Sequence, residues 1–323
     1  MDARARPDDG YSRIVRLASG PRFCVAEFGA KDGLPVLALH GAPACRLMFD
    51  VTDDAARALG LHIIAFDRPG YGHSPLDYGY SLARRTDTFI ELINALGLDR
   101  FVLLGVSGGG PYAVALAARL GSRVRGLALV SPLGPLADLQ ERAKVDAGGK
   151  DTGIDQVPLS LGHRAFFLDL PRHTWLLRVN AEIAMRSFRA APRFFAHTFS
   201  HLLPESDRKV VAAPEIERSI VEMTLEATRS GIGGGIADLE IYGKPWDVDY
   251  AAITAPTRIW QGLDDHIVPA AAALALGNLI PGARVERIEG AGHFWVYGQV
   301  SSVLADIKDM AADVRAAPAA PGS

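Results

Sequence analysis

The chain has 323 residues, of which 49% are hydrophobic and 22% charged, and its net charge is −3. This composition is ordinary for a globular protein with one large core, and it argues against nucleic acid as a partner. No stretch is long and apolar enough to predict a membrane span. The polar first ten residues and the small number of cysteines, Cys24 and Cys45, lead us to expect a cytoplasmic protein with reduced thiols. The sequence gives no indication of oligomeric state.

The first part of the chain alternates short apolar runs with helical patterns. Residues 13–17 and 22–28 are predicted to form a hairpin of two strands. Four later runs are almost continuously apolar, as in parallel strands with both faces covered: Val36–His40, Leu61–Phe66, Phe101–Val106 and Val124–Val130. Helices are predicted between them at Thr52–Leu59, Leu82–Leu96 and Pro111–Arg119. This alternation predicts an α/β fold with a mostly parallel sheet flanked by helices.

The alternation stops near Pro132 and resumes after Asp249. Residues 135–244 contain no convincing buried strand and are predicted to form an inserted helical lid over the carboxyl edge of the sheet, where open α/β sheets bind ligands. The core would then comprise residues 1–134 and 245–315. Its second part is predicted to contain strands Thr257–Gln261 and Ala283–Ile288 and helices Pro269–Leu276 and Val300–Val314. The low-complexity residues 316–323 are expected to be disordered.

A candidate nucleophile lies in the stretch Gly105-Val106-Ser107-Gly108-Gly109, which fits the pattern G-x-S-x-G. It follows a predicted buried strand directly and precedes a predicted helix, as a nucleophile on a strained strand-to-helix turn requires. The flanking glycines would leave room for the neighbouring strand and helix. The free N–H groups at the start of the helix would favour developing negative charge at Ser107. The alternative is a glycine-rich turn that only packs the helix on the strand.

A serine hydroxyl needs a base, and His293 is the best candidate among the nine histidines. It lies in a loop directly after the last predicted strand, so it can reach back over the carboxyl edge. His40 ends a buried strand and is expected to support its loop, and His62 is expected to be structural. The histidines of the predicted lid are given no catalytic role, although one could contact substrate: His163, His173, His197 and His201.

The carboxylate that orients the histidine is expected after the strand at 257–261. Two adjacent candidates, Asp264 and Asp265, follow that strand. Only one of them can point toward His293, and the residues alone leave the choice open. The chain order serine, aspartate, histidine is the one that this sheet topology requires.

Five motifs together resemble the α/β-hydrolase superfamily, specifically its lidded, esterase-like members. They are HGAP at 40–43, DRPGYGHS at 67–74, GVSGGGP at 105–111, GLDDHIVP at 262–269 and GAGHF at 290–294. The resemblance covers about residues 13–310 and is strong outside the lid. It implies that Asp265 is the acid, because it lies three residues after Gly262. It also implies an oxyanion hole made by the backbone N–H groups of Ala42 and Gly108.

The resemblance implies a serine hydrolase that cleaves a carboxylic ester of a small apolar or aromatic substrate through an acyl-enzyme. Hydrolysis of a C–C bond, hydrolysis of an amide as in proline iminopeptidases, and a non-catalytic role as a small-molecule receptor remain open. Ser107 stands where a haloalkane dehalogenase or an epoxide hydrolase would carry aspartate, which argues against both activities. No metal-ligand spacing is found, and we expect no cofactor. We expect Asp67, Arg68 and Tyr71 to shape the adjacent loop, and residues 231–235 to form a loose joint where the lid returns to the core.

Overall fold

The computed structural model describes residues 11–77, 81–139 and 160–316. Residues 140–159 of the predicted lid and 317–323 of the predicted disordered tail lie outside the described residues. Ala316, predicted to lie in the disordered tail, instead ends the last helix.

An eight-stranded sheet forms the centre of the molecule, in the order β1-β2-β4-β3-β5-β6-β7-β8. Its strands are β1 Ser12–Arg16, β2 Arg22–Gly29, β3 Leu34–Leu39, β4 Leu61–Phe66, β5 Phe101–Val106, β6 Val124–Val130, β7 Thr257–Gly262 and β8 Arg284–Ile288. The first two strands form an antiparallel hairpin, β2 pairs antiparallel with β4, and all other pairs are parallel. The predicted α/β class is confirmed, and the ends of the predicted strands differ from these by at most two residues.

The helices occupy the connections between strands, the long segment between β6 and β7, and the segment after β8. They are α1 Asp53–Leu59, α2 Leu82–Ala95, α3 Gly110–Leu120, α4 Leu161–Arg164, α5 Thr174–Ala190, α6 Pro192–Ser200, α7 Glu205–Val211, α8 Pro214–Ala227, α9 Gly233–Tyr242, α10 Ala270–Leu279 and α11 Val300–Ala316. Short 3₁₀ helices include Arg46–Thr52, Ser107–Gly109 and Trp295–Gly298. Local chemistry sets several ends: the Ser81 side chain caps α2 by accepting from the N–H of Arg84, and Gly60 ends α1 in the left-handed conformation.

Both faces of the sheet are covered, and successive residues of its central strands alternate between the two cores. Leu37 and Leu39 of β3 contribute to a core that includes Phe89 of α2. Val36 of β3 contributes to the core on the opposite face, which includes Ile307 of α11. Covering both faces produces the continuously apolar runs in the sequence. It also leaves the carboxyl edge of the parallel strands as the place for a site.

In the described part of the chain between β6 and β7, residues 161–242 are helical and include no strand; we name them the helical insertion. The sequence predicts a loose joint at residues 231–235, where the insertion connects back to the core, but the structure differs. Residues 233–235 begin α9 and pack closely against the core loop, where a Cβ built on Gly70 would lie 2.7 Å from the Cα of Gly234. The glycines here allow two backbone segments to approach each other, so this joint is tightly packed. No helix in the described ranges is long and apolar enough to cross a bilayer.

Candidate active site

Four loops place the predicted site residues at one edge of the sheet. Ala42 follows β3, Ser107 follows β5, Asp265 follows β7 and His293 follows β8. These strands are parallel, so their carboxyl ends lie on the same side of the molecule. The structure therefore brings together residues that are separated by up to 251 positions in the sequence, from Ala42 to His293.

Ser107 occupies a strained turn between β5 and α3. Its φ is 51°, a left-handed value that is unfavourable for a residue with a side chain. The flanking glycines are required by space: a Cβ on Gly105 would lie 2.8 Å from the Cβ of Ala113, and one on Gly109 would overlap the carbonyl oxygen of Leu39. The predicted geometric reason for the G-x-S-x-G pattern is therefore confirmed.

A chain of two hydrogen bonds connects the serine, the histidine and one aspartate. Nε2 of His293 lies 3.1 Å from Oγ of Ser107, and Nδ1 of His293 lies 2.7 Å from Oδ2 of Asp265. Both distances are within hydrogen-bond range. The imidazole can accept the serine proton at one nitrogen while the carboxylate fixes the proton on the other.

Asp265 is buried, whereas the adjacent Asp264 is exposed. Burial alone would raise the pKa of Asp265, but the facing imidazole of His293 and the backbone N–H groups of Val268 and Ile267 outweigh it, so the pKa is lowered. Those two N–H groups each lie 2.9 Å from Oδ1. Asp265 is therefore held as a carboxylate, with one oxygen on the backbone and the other toward the histidine.

The two predicted oxyanion donors are neighbours in space. A Cβ built on Gly108 would lie 3.2 Å from the Cβ of Ala42, and one built on Gly41 would lie 3.3 Å from the Cβ of Ser107. The N–H of Ala42 has no hydrogen-bond acceptor among the described residues. A free main-chain donor beside Ser107 is what an oxyanion formed there would require.

Hydrogen bonds from His40 and Arg68 stabilise the loop that carries Ala42. The Nδ1 of His40 lies 2.7 Å from the carbonyl oxygen of Gly41, and its Nε2 accepts from the N–H of Arg68 at 3.1 Å. Burial and the charge of Arg68 lower the pKa of His40 well below its usual value, so this ring is neutral. The Arg68 guanidinium donates to the carbonyl oxygens of His40 and Gly41. His40 and Arg68 thus support the loop, as the sequence predicts.

Sequence reasoning missed the acid that anchors Arg68. Asp238 of α9 is buried and accepts from Arg68 at 2.5 Å, from the Tyr71 hydroxyl at 2.7 Å and from the Tyr112 hydroxyl at 2.5 Å. One turn further along α9, the Tyr242 hydroxyl donates to the carbonyl oxygen of Gly108 at 2.7 Å. A weak signal existed, because Asp238 is one of two charged residues in the otherwise uncharged stretch 231–242.

A second missed acid, Asp207 of α7, contacts the histidine loop. Its carboxylate accepts from the backbone N–H of His293 at 2.8 Å and of Phe294 at 2.7 Å, and it is fully buried. No signal pointed to it, since it lies in the charged stretch Glu205–Lys209, which is typical of a solvated helix face.

A cavity of about 410 Å³ opens onto Ser107 and His293 between the core and the helical insertion. Its wall is made mostly of aliphatic, aromatic and methionine side chains, and none of its described lining residues is Asp, Glu, Lys or Arg. Core loops supply Met48, Phe294 and Val296, while the insertion supplies Phe188, Phe195, Phe199 and Met223 among others. The cavity is therefore suited to an uncharged, apolar group. Within the described ranges, no cluster of three or more potential metal ligands is found.

Comparison with known proteins establishes the family. Residues 35–297 match the sequence model of the α/β-hydrolase fold, so the chain belongs to this family. It is 28% identical to 2-hydroxymuconate semialdehyde hydrolase from Pseudomonas putida over 282 residues, which is 86% of each chain. It is 23% identical over 287 residues to monoacylglycerol lipase abhd6-B from Xenopus laevis, covering 84% of this chain and 74% of the lipase.

The fold is shared with solved structures of other proteins. A thermophilic esterase from Thermogutta terrifontis superposes with a TM-score of 0.65 at 24% identity, covering 94% of this chain and 98% of the esterase. A bromoperoxidase from Bacillus anthracis superposes with a TM-score of 0.67 at 17% identity, covering 92% and 98%. At these identities the likeness concerns the fold alone.

Proposed function

We propose that this protein is a serine hydrolase that cleaves carboxylic esters of apolar substrates through an acyl-enzyme. The observation that carries the proposal is the hydrogen-bonded series of Ser107, His293 and Asp265 at the mouth of an apolar cavity. Ser107 attacks the ester carbonyl while His293 takes its proton. Asp265 holds the imidazole tautomer, and the N–H groups of Ala42 and Gly108 stabilise the oxyanion. His293 then returns the proton to the leaving alcohol, and water activated by His293 releases the acid.

The lining of the cavity favours an uncharged ester over the alternatives. A peptide with a free amino terminus would leave its ammonium group without a carboxylate among the described lining residues. A charged group buried without a partner is costly, so an amide substrate of that kind is disfavoured.

Hydrolysis of a C–C bond is the second candidate, supported by the 28% identity to the Pseudomonas putida hydrolase. That relative is named for a muconate derivative, which carries a carboxylate. No arginine or lysine among the described lining residues offers a partner for such a group. We therefore rank this activity below ester hydrolysis.

A panel of substrates tests whether ester hydrolysis is preferred over C–C bond and amide hydrolysis, and it includes a charged ester beside its neutral isostere. It comprises p-nitrophenyl esters from acetate to octanoate, one ester with a terminal carboxylate, a vinylogous diketone and a prolyl amide. We expect kcat/KM to rise with acyl length by up to about fourfold per methylene, from the transfer free energy of about 0.8 kcal/mol. The ester with the terminal carboxylate should be poorer than its neutral isostere.

Ser107→Ala is the control and should remove all turnover. A preference for the diketone or the amide would contradict the ester assignment while leaving the triad in place. Slow turnover with tight product retention in the unaltered protein would instead indicate a small-molecule receptor.

A further inference from the structure

We infer that Asp207 is a positioning residue that holds the His293 loop in register with Ser107, so that the base is tied to the helical insertion as well as to the core. This inference rests on the proposed function. It concerns a residue that does not contact the reacting atoms and acts through His293.

The contact is specific in its geometry. Each carboxylate oxygen of Asp207 accepts one backbone N–H, Oδ2 from His293 at 2.8 Å and Oδ1 from Phe294 at 2.7 Å. Hydrogen bonds from N–H groups to a carboxylate are stronger than neutral ones. The two bonds fix two successive peptide units, and hence the point from which the imidazole projects.

The core is shaped to receive this carboxylate. A Cβ built on Gly292 would overlap the carboxyl carbon and both oxygens of Asp207. The φ of Gly292 lies outside the left-handed region, so its backbone does not require glycine, and the space taken by Asp207 is the reason for the missing side chain. The glycine before the histidine thus belongs to the same contact.

The burial of Asp207 is informative because it has no cationic partner. It is 0% exposed, and among the described residues no arginine, lysine or histidine side chain forms an ion pair with it. An ionised carboxylate loses solvation on burial, and here the backbone N–H groups of the histidine loop compensate. A contact that only attached the insertion to the core could have been made with apolar side chains at lower cost.

The position of His293 therefore depends on two carboxylates, one from the core and one from the helical insertion. Asp265, from the core, binds the ring of His293, whereas Asp207, from α7 of the helical insertion, binds its backbone. If α7 moves away from the core, the His293 loop loses two hydrogen bonds and Ser107 loses an aligned base. Catalysis is thereby coupled to the docking of the insertion.

Three substitutions test the contact from both sides. Asp207→Asn keeps the side-chain volume, but its NH₂ group replaces one of the two acceptors and faces a backbone N–H of His293 or Phe294. Asp207→Ala removes the carboxylate. Gly292→Ala pushes against it from the core. We expect Asp207→Asn and Gly292→Ala each to lower kcat for p-nitrophenyl acetate by about 10- to 100-fold with little change in KM, since a displacement of about 1 Å can cost that much.

The decisive measurement is the double variant. In the Asp207→Ala background the space beside residue 292 is empty, so Gly292→Ala should cost less than threefold there. An equal cost in both backgrounds would overturn the inference, because it would show that the two residues act independently. Glu205→Gln is the matched control: this carboxylate lies on the same helix, its side chain is 69% exposed, and it should retain the activity of the unaltered protein.

A readout without substrate separates this inference from the proposed function. The Cε1–H signal of His293, assigned by its absence in His293→Gln, should shift in Asp207→Asn and stay in place in Glu205→Gln. If the unaltered protein hydrolyses no ester, the proposed function fails while this signal still decides the positioning role. An unshifted signal, or a kcat within twofold in a folded Asp207→Asn, overturns the inference.

Discussion

Replacing Asp265 by asparagine has a consequence that can be worked out from its hydrogen bonds. All four groups that contact the carboxylate are donors: Oδ1 accepts from the N–H of Ile267 and Val268, and Oδ2 accepts from His293 and, at 3.2 Å, from the Gln261 amide. The backbone donors cannot rotate, so the asparagine oxygen will remain on them. Its NH₂ group must then face Nδ1 of His293.

The imidazole can accept from that NH₂ group only as the other tautomer. It would then present Nε2–H to Ser107 and could no longer take the serine proton. In the Ser-His-Asp template this error lowers kcat by about 10⁴, or about 5.4 kcal/mol in activation free energy. We expect a loss of that order here, with KM within a few-fold.

Asp264→Asn is the matched control for this experiment. Asp264 is exposed, and its only hydrogen bond among the described residues runs from its N–H to the carbonyl oxygen of Ala291 at 2.9 Å. Steady-state kinetics with p-nitrophenyl butyrate should show a loss of less than about tenfold, against about 10⁴ for the triad carboxylate of the template. Equal losses in the two variants, or the reverse ranking, would refute the assignment of the acid.

Other consequences can be checked with the same protein. A fluorophosphonate should label Ser107 once, and labelling of Ser107→Ala at an unchanged rate would contradict the nucleophile. Because the pKa of Asp265 is lowered on folding, its contribution to stability is present above the unfolded value of about 3.9 and is lost as pH falls through the folded value. The Tm of the unaltered protein should therefore decrease more steeply below pH 4 than that of Asp265→Asn. Tyr242→Phe removes the hydroxyl that donates to the buried carbonyl oxygen of Gly108, so we expect about 1–3 kcal/mol lower unfolding free energy in urea, and no change would contradict the bond. Arg68→Met leaves a buried carboxylate unpaired and should cost about 3–5 kcal/mol in the same assay, whereas a loss below 1 kcal/mol would show the pair to be dispensable.

The parts of the molecule that the sequence predicted are those with local causes. The runs at 101–106 and 124–130 match β5 and β6 at both ends, since continuous burial leaves a pattern within each strand. The turn at Ser107 was predictable because its glycines are required by contacts with adjacent elements. The choice between Asp264 and Asp265 came from the family motif alone, because burial of one carboxylate and exposure of the other depends on the loop conformation.

The parts that were missed depend on contacts between distant segments. Asp207 and His293 are 86 residues apart, and Asp238 and Arg68 are 170 residues apart. Both acids lie in the helical insertion, where amphipathic patterns describe helices but not their partners. The expectation of a loose joint at 231–235 was wrong for the same reason, since the close contact of Gly234 with Gly70 exists only once the insertion has folded back.

These contacts change the role that we assign to the helical insertion. A segment that only covered the cavity would contact the walls and leave the catalytic loops to the core. Here Asp207 binds the loop that carries the base, and Asp238 binds Arg68, which in turn donates to the loop that carries Ala42. The insertion therefore contributes to the positions of both the base and the proposed oxyanion donor. Because buried carboxylates form these contacts, each is costly to break and is satisfied only when the insertion is docked. The same segment that closes the apolar cavity would thus also complete the alignment of the catalytic groups.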